Sequence, residues 1–258
     1  MSDSKIKIYD LMACNVYWDF NSPGTPKEQH KFLVSFYPTG DDTPVHELIE
    51  RITARGPDGY EVEIANQRFD GKNKNGYIFD RTTNAHWYML NLATGFMKPG
   101  KYTIEVVGRD GSVTSISRVQ EAGPTEALVA AYKANREGIF NSYNPGQGQV
   151  LASDASREGV QVSWTPLSEL AGQDAYYIFR LSAGTGIADF DTQNLHWWDN
   201  IFLQRVAEPK AGLNRGQVTI GNALKPESSY VYFTEITDSN AMGQTNICIF
   251  QPHQSFRA

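Results

Sequence analysis

The chain has 258 residues, of which 40% are hydrophobic and 20% are charged, and its net charge is −6 at neutral pH. This composition is typical of a folded globular protein and excludes a disordered chain. Acidic and basic residues are interspersed without a basic stripe, which argues against nucleic-acid binding, and no apolar run approaches the roughly 18–20 residues of a membrane helix.

The N-terminal stretch MSDSKIKIYDLMAC lacks a charged region followed by an apolar one, so it predicts no signal peptide. We therefore expect a cytoplasmic protein, or a mature exported form that has lost its signal. Cys14 and Cys248 lie in apolar, strand-like stretches and are interpreted as buried thiols. The alternative is a disulfide between the two halves of the chain, which would imply an oxidising compartment.

Strand signals recur along the first half between clusters of Gly, Pro, Asn and Asp, a pattern that favours a β-sandwich. The candidate strand regions are 5–20, 31–38, 50–65, 86–93 and 101–119. Gly-Pro-Asp-Gly at 56–59 predicts a turn within the third region. Asp110-Gly111 predicts the turn of a hairpin in the last, because both residue types tolerate positive φ.

The pattern changes at Gly123-Pro124. The segment TEALVAAYKANREGIF, residues 125–140, predicts a helix that Thr125 can cap. We interpret this helix as a connector, which predicts three regions: an N-terminal sandwich at 1–122, a connector at 123–150 and a C-terminal sandwich at 151–258.

The second half contains two motifs in order. The first is GVQVSWTPL at 159–167, a strand with Trp164 on one face, and the second is Leu224-Lys-Pro226-Glu-Ser-Ser-Tyr230. The second resembles the fibronectin type III signature Leu-x-Pro-x-Thr-x-Tyr, and the first is similar to the second strand of that family. The resemblance covers about residues 159–258. It implies that Trp164 is a core residue and that the Tyr230 hydroxyl reaches back to an upstream backbone group, the tyrosine corner.

The first half carries a looser version, Met97-Lys-Pro99-Gly-Lys-Tyr102, ahead of a central strand. It resembles the end of an immunoglobulin-like bacterial domain. The fold class that follows is all-β, with two immunoglobulin-like, fibronectin type III-like sandwiches in tandem and a short connector helix. Such a fold does not by itself assign a function.

The sequence shows no nucleophile elbow, zinc-protease helix, phosphate loop or dinucleotide fingerprint. The histidines are too scattered for a dedicated zinc site, so no metal site is expected from them. They lie at positions 30, 46, 86, 196 and 253.

The segment GIADFDTQNLHWWDN, residues 186–200, interrupts the strand pattern with a connection longer than a sandwich needs. Its candidate site residues are Asp189, Asp191, His196, Trp197, Trp198 and Asp199. One interpretation places both tryptophans in packing roles. A second makes them an aromatic platform beside carboxylates, suited to a sugar ring or an apolar ligand. A third is a calcium site at Asp189 and Asp191, the one cofactor that the sequence suggests.

His86-Trp87-Tyr88 forms a second aromatic group. Strand alternation places Trp87 on one face and His86 with Tyr88 on the other. The favoured interpretation is a core Trp87 with His86 and Tyr88 at the rim, where both become candidate ligand contacts.

Three function classes follow. The favoured one is a non-enzymatic recognition protein for a carbohydrate or protein ligand, which loops and the aromatic segment would contact near the boundary of the two domains. The alternative is an enzyme of the lyase, hydratase or hydrolase type in the cleft between the sandwiches, with His196 as base and Asp189, Asp191 or Asp199 orienting it. A structural subunit of an assembly, joined through edge strands, is the third.

Overall fold

The computed structural model describes residues 5–20, 24–37, 39, 43–69, 75–80, 85–92, 95–191, 194–202, 213 and 215–258. Its strands are Ile8–Trp18 (β1), Glu28–Phe36 (β2), Ile49–Arg55 (β3), Glu61–Ile64 (β4), Asn75–Asp80 (β5), Ala85–Leu92 (β6), Gly100–Gly108 (β7), Val113–Gln120 (β8), Gln149–Val150 (β9), Gln161–Ser163 (β10), Tyr176–Ala183 (β11), Trp197–Asp199 (β12), Gln217–Thr219 (β13), Ser229–Thr237 (β14), Ile247–Phe250 (β15) and Gln254–Arg257 (β16). The α-helices are Val45–Leu48 (α1), Pro124–Ser142 (α2) and Leu167–Ala171 (α3).

The chain forms two compact units, and the all-β fold class of tandem sandwiches is confirmed. Unit 1 comprises residues 1–16, 28–123 and 242–246, and unit 2 comprises residues 17–27, 124–241 and 247–258. The sequence predicted contiguous regions, whereas residues 17–27 and the helix α2 group with unit 2 and residues 242–246 group with unit 1. Segments that are adjacent in the sequence can belong to different units, because each unit consists of the parts of the backbone that lie close together in space.

Unit 1 is a sandwich of two sheets. One sheet has the strand order β1-β2-β6-β5 and the other β4-β3-β7-β8. Both sheets send fully buried apolar side chains into one core, among them Phe32 and Val34 from the first and Ile52 and Ile104 from the second. Each such side chain contributes roughly 1.5–3 kcal/mol by leaving water. The hairpin at Asp110-Gly111 is confirmed by β7 and β8, with Gly111 at φ +78°.

Tyr102 anchors the looser proline motif of unit 1. Its ring is buried, and its hydroxyl donates a hydrogen bond of 3.0 Å to the carbonyl oxygen of Lys98. Gly56 lies against the ring, where an added Cβ would be 2.2 Å from Cε1. The bend therefore uses a carbonyl four residues upstream.

Unit 2 is also built from two sheets. The strands β11 and β14 pair antiparallel, β12 flanks β11, and β14 continues through β15 and β16, which in turn pairs parallel with β9. The second sheet is the pair β10-β13. Trp164 lies next to β10 and is 4% exposed, with its ring 5.4 Å from that of Tyr177 on β11. Trp164 is thus a core residue, as the resemblance implied.

The tyrosine corner of unit 2 is confirmed. Leu224 and Tyr230 are both buried, and the Tyr230 hydroxyl accepts a 2.8 Å hydrogen bond from the backbone N–H of Lys225. Glu227 takes up the tight bend between them with φ +59°. A non-glycine residue with positive φ is uncommon, so the surrounding contacts must hold it in place.

Trp18 and Phe20 pack against aromatic side chains of β14 and β15. The rings of Trp18 and Phe20 contact Phe250, and Phe20 lies 5.0 Å from Phe233. This cluster explains why β14 is buried on both of its faces.

Asp19 attaches the same segment to the helix α2. Its carboxylate is 5% exposed and accepts hydrogen bonds from the Tyr132 hydroxyl at 2.7 Å, from Arg136 Nε at 2.5 Å and from Lys27 Nζ at 3.0 Å. Burial raises the pKa of Asp19, but these three hydrogen bonds outweigh it and leave the pKa below its usual value.

Cys14 in unit 1 and Cys248 in unit 2 are buried thiols, which confirms the favoured interpretation over the disulfide. Within the described part of the chain, no helix is long and apolar enough to cross a membrane.

Candidate functional site

The segment predicted as a site, residues 186–200, joins β11 to the sheet edge of unit 2. Its first part is a helical turn at Ile187–Asp189, and its last part is β12, which pairs antiparallel with β11. β12 stands at the end of the strand order, so it is the edge strand of this sheet among the described residues. Because successive residues of a strand point to opposite faces, its two tryptophans separate.

Trp197 lies on the core face. It stands opposite Leu181 in the register, and its ring centroid is 5.8 Å from that of Phe179. The indole also packs on Gly221, where an added Cβ would be 2.9 Å from Nε1. A glycine is needed at that point for the ring to fit. Trp197 is therefore a packing residue that stays partly exposed at the sheet edge.

Trp198 lies on the opposite face, directly across from Arg180. Directly opposed residues of an antiparallel pair have neighbouring side chains, so the indole and the guanidinium share one surface. Both remain partly exposed, with 22% of the Arg180 side chain accessible. Trp198 is thus the tryptophan that an external ligand can reach on this face.

Two contacts with β14 hold the Arg180 side chain in place. It forms an ion pair with Glu235, whose side chain is 2% exposed, and its guanidinium lies 5.8 Å from the centroid of the Phe233 ring. Burial lowers the pKa of Arg180 to about 10, so the group is still charged at neutral pH. The ion pair holds the side chain in one position beside Trp198.

His196 is partly buried and packs edge-on against Tyr230, with ring centroids 5.0 Å apart. Its backbone N–H donates to the carbonyl of Leu181, and its own carbonyl accepts from Asn222 Nδ2. The ring atom Nε2 is buried and has no hydrogen-bond partner among the described residues. The ring is therefore placed by packing and not by a carboxylate.

The three aspartates are engaged separately. Asp189 is exposed and accepts hydrogen bonds of 2.8 Å from the backbone N–H and the hydroxyl of Thr185, and these bonds lower its pKa. Asp191 accepts from the backbone and side-chain amides of Asn194, and Asp199 forms an ion pair with Arg215. Each carboxylate thus has a local partner.

Within the described ranges, no three His, Cys, Asp or Glu side chains gather in a way that could hold a metal ion. The calcium site at Asp189 and Asp191 stays a prediction.

Tyr88 is not at the rim, contrary to the sequence interpretation. It is fully buried in the core of unit 1, its hydroxyl donates 2.9 Å to Asn66 Oδ1, and its ring contacts Phe36 and Tyr77. Alternation correctly separates neighbouring residues of a strand but does not say which face meets the core. The side chains of His86 and Trp87 lie outside the described residues.

Sequence reasoning missed two features that bear on binding. Arg180 is the first, and its signal was a single charge within the apolar strand YYIFRLSA. The second is a pair of exposed rings on unit 1, Tyr9 and Tyr37. No sequence signal marked that pair, because its members are 28 residues apart and meet only through strand pairing.

Comparisons with known proteins give structural likeness only. No protein-family model and no curated protein matches the chain. The chain is similar to the N-terminal Ig1-2 module of the Drosophila receptor protein tyrosine phosphatase DLAR, at 12% identity over 96% of this chain and 97% of that one, with a TM-score of 0.34. The fibronectin(III)-like modules of Clostridium thermocellum CbhA match at 8% identity over 96% and 94%, with a TM-score of 0.25. The tandem Ig repeats of Dlar match at 10% identity over 94% and 96%, with a TM-score of 0.29.

Proposed function

We propose that this protein is a non-enzymatic recognition module whose ligand, a carbohydrate or another protein, contacts Trp198. The observation that carries the proposal is the position of Trp198 on the edge strand β12, partly exposed and directly opposite Arg180. An indole beside a fixed guanidinium offers an apolar ring face and a hydrogen-bond donor on one surface. Trp and Arg are the residue types that most often contribute the main contacts of an interface.

The enzyme alternative has less support. A His-carboxylate pair needs hydrogen-bond contact to orient the ring and shift its proton affinity. The His196 ring makes no such bond to any described carboxylate, and the aspartates are engaged with Thr185, Asn194 and Arg215. In the part of the chain that the structure describes, no observation favours a lyase, hydratase or hydrolase, or a subunit of an assembly.

The proposal is tested by measuring ligand capture on a glycan array and on immobilised candidate proteins, with the wild type beside two matched variants. Trp198→Ala removes the partly exposed indole and is expected to weaken binding at least about tenfold, as removal of a central aromatic contact does. Trp197→Phe keeps a ring on the core-facing side and is expected to bind as the wild type does. If both variants lose binding equally, or if Trp198→Ala binds as the wild type does, the ligand does not contact this face through Trp198 and the proposal is refuted.

A further inference from the structure

Two tyrosines of unit 1 form an exposed aromatic pair. Tyr9 is 42% exposed and Tyr37 is 46% exposed, and their ring centroids are 4.9 Å apart at an interplanar angle of 83°. Among the described residues, they are the only aromatic side chains in the set of exposed large hydrophobic residues. Two exposed rings in contact form an apolar surface patch, and exposed apolar patches often mark binding sites.

The backbone hydrogen bond between Tyr37 and Lys7 brings the two tyrosines next to each other. Tyr9 lies on β1 and Tyr37 directly follows β2, where its backbone N–H donates 3.0 Å to the carbonyl oxygen of Lys7. Ile6 and Ile8 pack on the core of unit 1, while Lys7 and Tyr9 are exposed. The alternation therefore presents the Lys7 ammonium and the Tyr9 ring from the same side of β1.

Lys7 contributes a positive charge to this surface, although the net charge of the whole chain is −6. The Lys7 side chain has no ion-pair partner among the residues that the structure describes. Asp10, the next carboxylate along β1, is already paired with Arg118 Nη2 at 2.5 Å. Among the described residues, the surface thus offers two phenol rings and one ammonium without an ion-pair partner.

We propose that Tyr9, Tyr37 and Lys7 form a binding site for an acidic carbohydrate, a pyranose that carries a carboxylate. The apolar face of the sugar ring stacks on one phenol, and the perpendicular second phenol borders it with a hydroxyl that can donate or accept. The carboxylate pairs with Lys7. An extended peptide fits less well, because the Lys7 carbonyl already accepts the Tyr37 N–H and cannot pair with an added strand.

This site is independent of Trp198, so the two proposals can fail separately. The test is titration calorimetry of the full chain with trigalacturonic acid, its methyl ester and a neutral glucose trimer, with hepta-glutamate as the peptide probe. The variants are Tyr9→Ala, Tyr37→Ala and Lys7→Gln. The matched controls are Val119→Ala and Lys101→Gln, which alter exposed residues on β8 and β7 of the same unit, and Trp198→Ala in unit 2.

We expect the wild type to prefer trigalacturonic acid over its methyl ester, and this preference to weaken as salt is added. Each Tyr→Ala variant should lose about tenfold in affinity, Lys7→Gln should abolish the preference for the acid, and the controls should bind as the wild type does. The site is refuted by the absence of binding at millimolar sugar, or by Tyr variants that bind normally. A preference that survives Lys7→Gln, or tighter binding of hepta-glutamate than of the sugar, refutes the acidic-carbohydrate assignment. Because the changed side chains are exposed, thermal unfolding is expected to be unaltered.

Discussion

Replacement of Asp19 by alanine is expected to destabilise unit 2 by about 2–3 kcal/mol. The carboxylate is nearly fully buried and joins the segment 17–20 to the helix α2 through Tyr132 and Arg136. Its removal leaves the Tyr132 hydroxyl as a buried donor without its acceptor. The residue also lies next to Trp18, whose ring covers Phe250, so a loosened segment exposes apolar surface.

The magnitude follows from how buried each partner is. Tyr132 is 1% exposed, and an orphaned buried hydroxyl costs about 1–3 kcal/mol. The side chains of Arg136 and Lys27 are 43% and 50% exposed, so water replaces the lost carboxylate and each contributes only about 0–1 kcal/mol. Alanine also removes the unfavourable desolvation of the buried Asp19 carboxylate, which offsets part of the cost of the three lost hydrogen bonds. The net destabilisation expected is about 2–3 kcal/mol.

Urea unfolding followed by tryptophan fluorescence measures this change, since Trp18, Trp164, Trp197 and Trp198 all belong to unit 2. Tyr132→Phe alone is expected to cost about 1 kcal/mol, because it removes one hydrogen bond without leaving an orphaned group. The double variant Asp19→Ala/Tyr132→Phe should be no less stable than Asp19→Ala.

The matched control is Lys98→Ala, which breaks the exposed ion pair with Asp58 and should leave the midpoint unchanged. The reasoning is refuted if Asp19→Ala unfolds at the wild-type urea concentration, or if the effects of Asp19→Ala and Tyr132→Phe simply add.

Three further outcomes are expected from unfolding measurements. Burial lowers the pKa of His30 more than its hydrogen bond with Gly95 raises it. Below about pH 6.5, His30 is therefore protonated in the unfolded chain before it is protonated in the folded one. Unit 1 should therefore lose stability as pH falls below that value, and His30→Gln should flatten the dependence; parallel curves would contradict this. Tyr230→Phe should cost about 1–2 kcal/mol by leaving the Lys225 N–H without its acceptor, and a cost near zero would mean that water replaces the phenol. Gly138→Ala, at an exposed position of α2 with room for a Cβ, should stabilise unit 2 by about 0.5–1 kcal/mol, unless the added methyl disturbs the packing of α3.

The parts of the fold that local chemistry specifies were predictable from the sequence. The corner from Leu224 to Tyr230 lies within seven residues, and its proline, its positive φ and its phenol all act at short range. The same holds for Trp164 and for the helix α2, whose periodicity is local. The helix begins at Pro124, so Thr125, which the sequence predicted as its cap, lies inside its first turn. The short helix α1 was not among the predicted elements, because four residues are too few to show a helical period.

The parts that depend on which surfaces meet were not predictable. Tyr88 was placed at the rim because alternation separates it from Trp87, yet only the tertiary structure shows that its face meets the core. Strand alternation separates Trp197 from Trp198, and the register adds which of them shares a surface with Arg180. The aspartates of the same segment looked like a cluster in sequence, but each hydrogen-bonds or ion-pairs with its own neighbour.

The early placement of Trp18 and Phe20 has a consequence for biogenesis. Their partners, Phe233 and Phe250, lie more than 200 residues later in the chain and emerge last from the ribosome. During synthesis the two rings have no permanent cover, so unit 2 cannot close until translation is almost finished. A fragment that starts at Pro124 would lack both rings and would leave Phe233 and Phe250 without these contacts. Expression of the back half alone should therefore yield aggregates, and supplying residues 1–27 in trans should restore some soluble material.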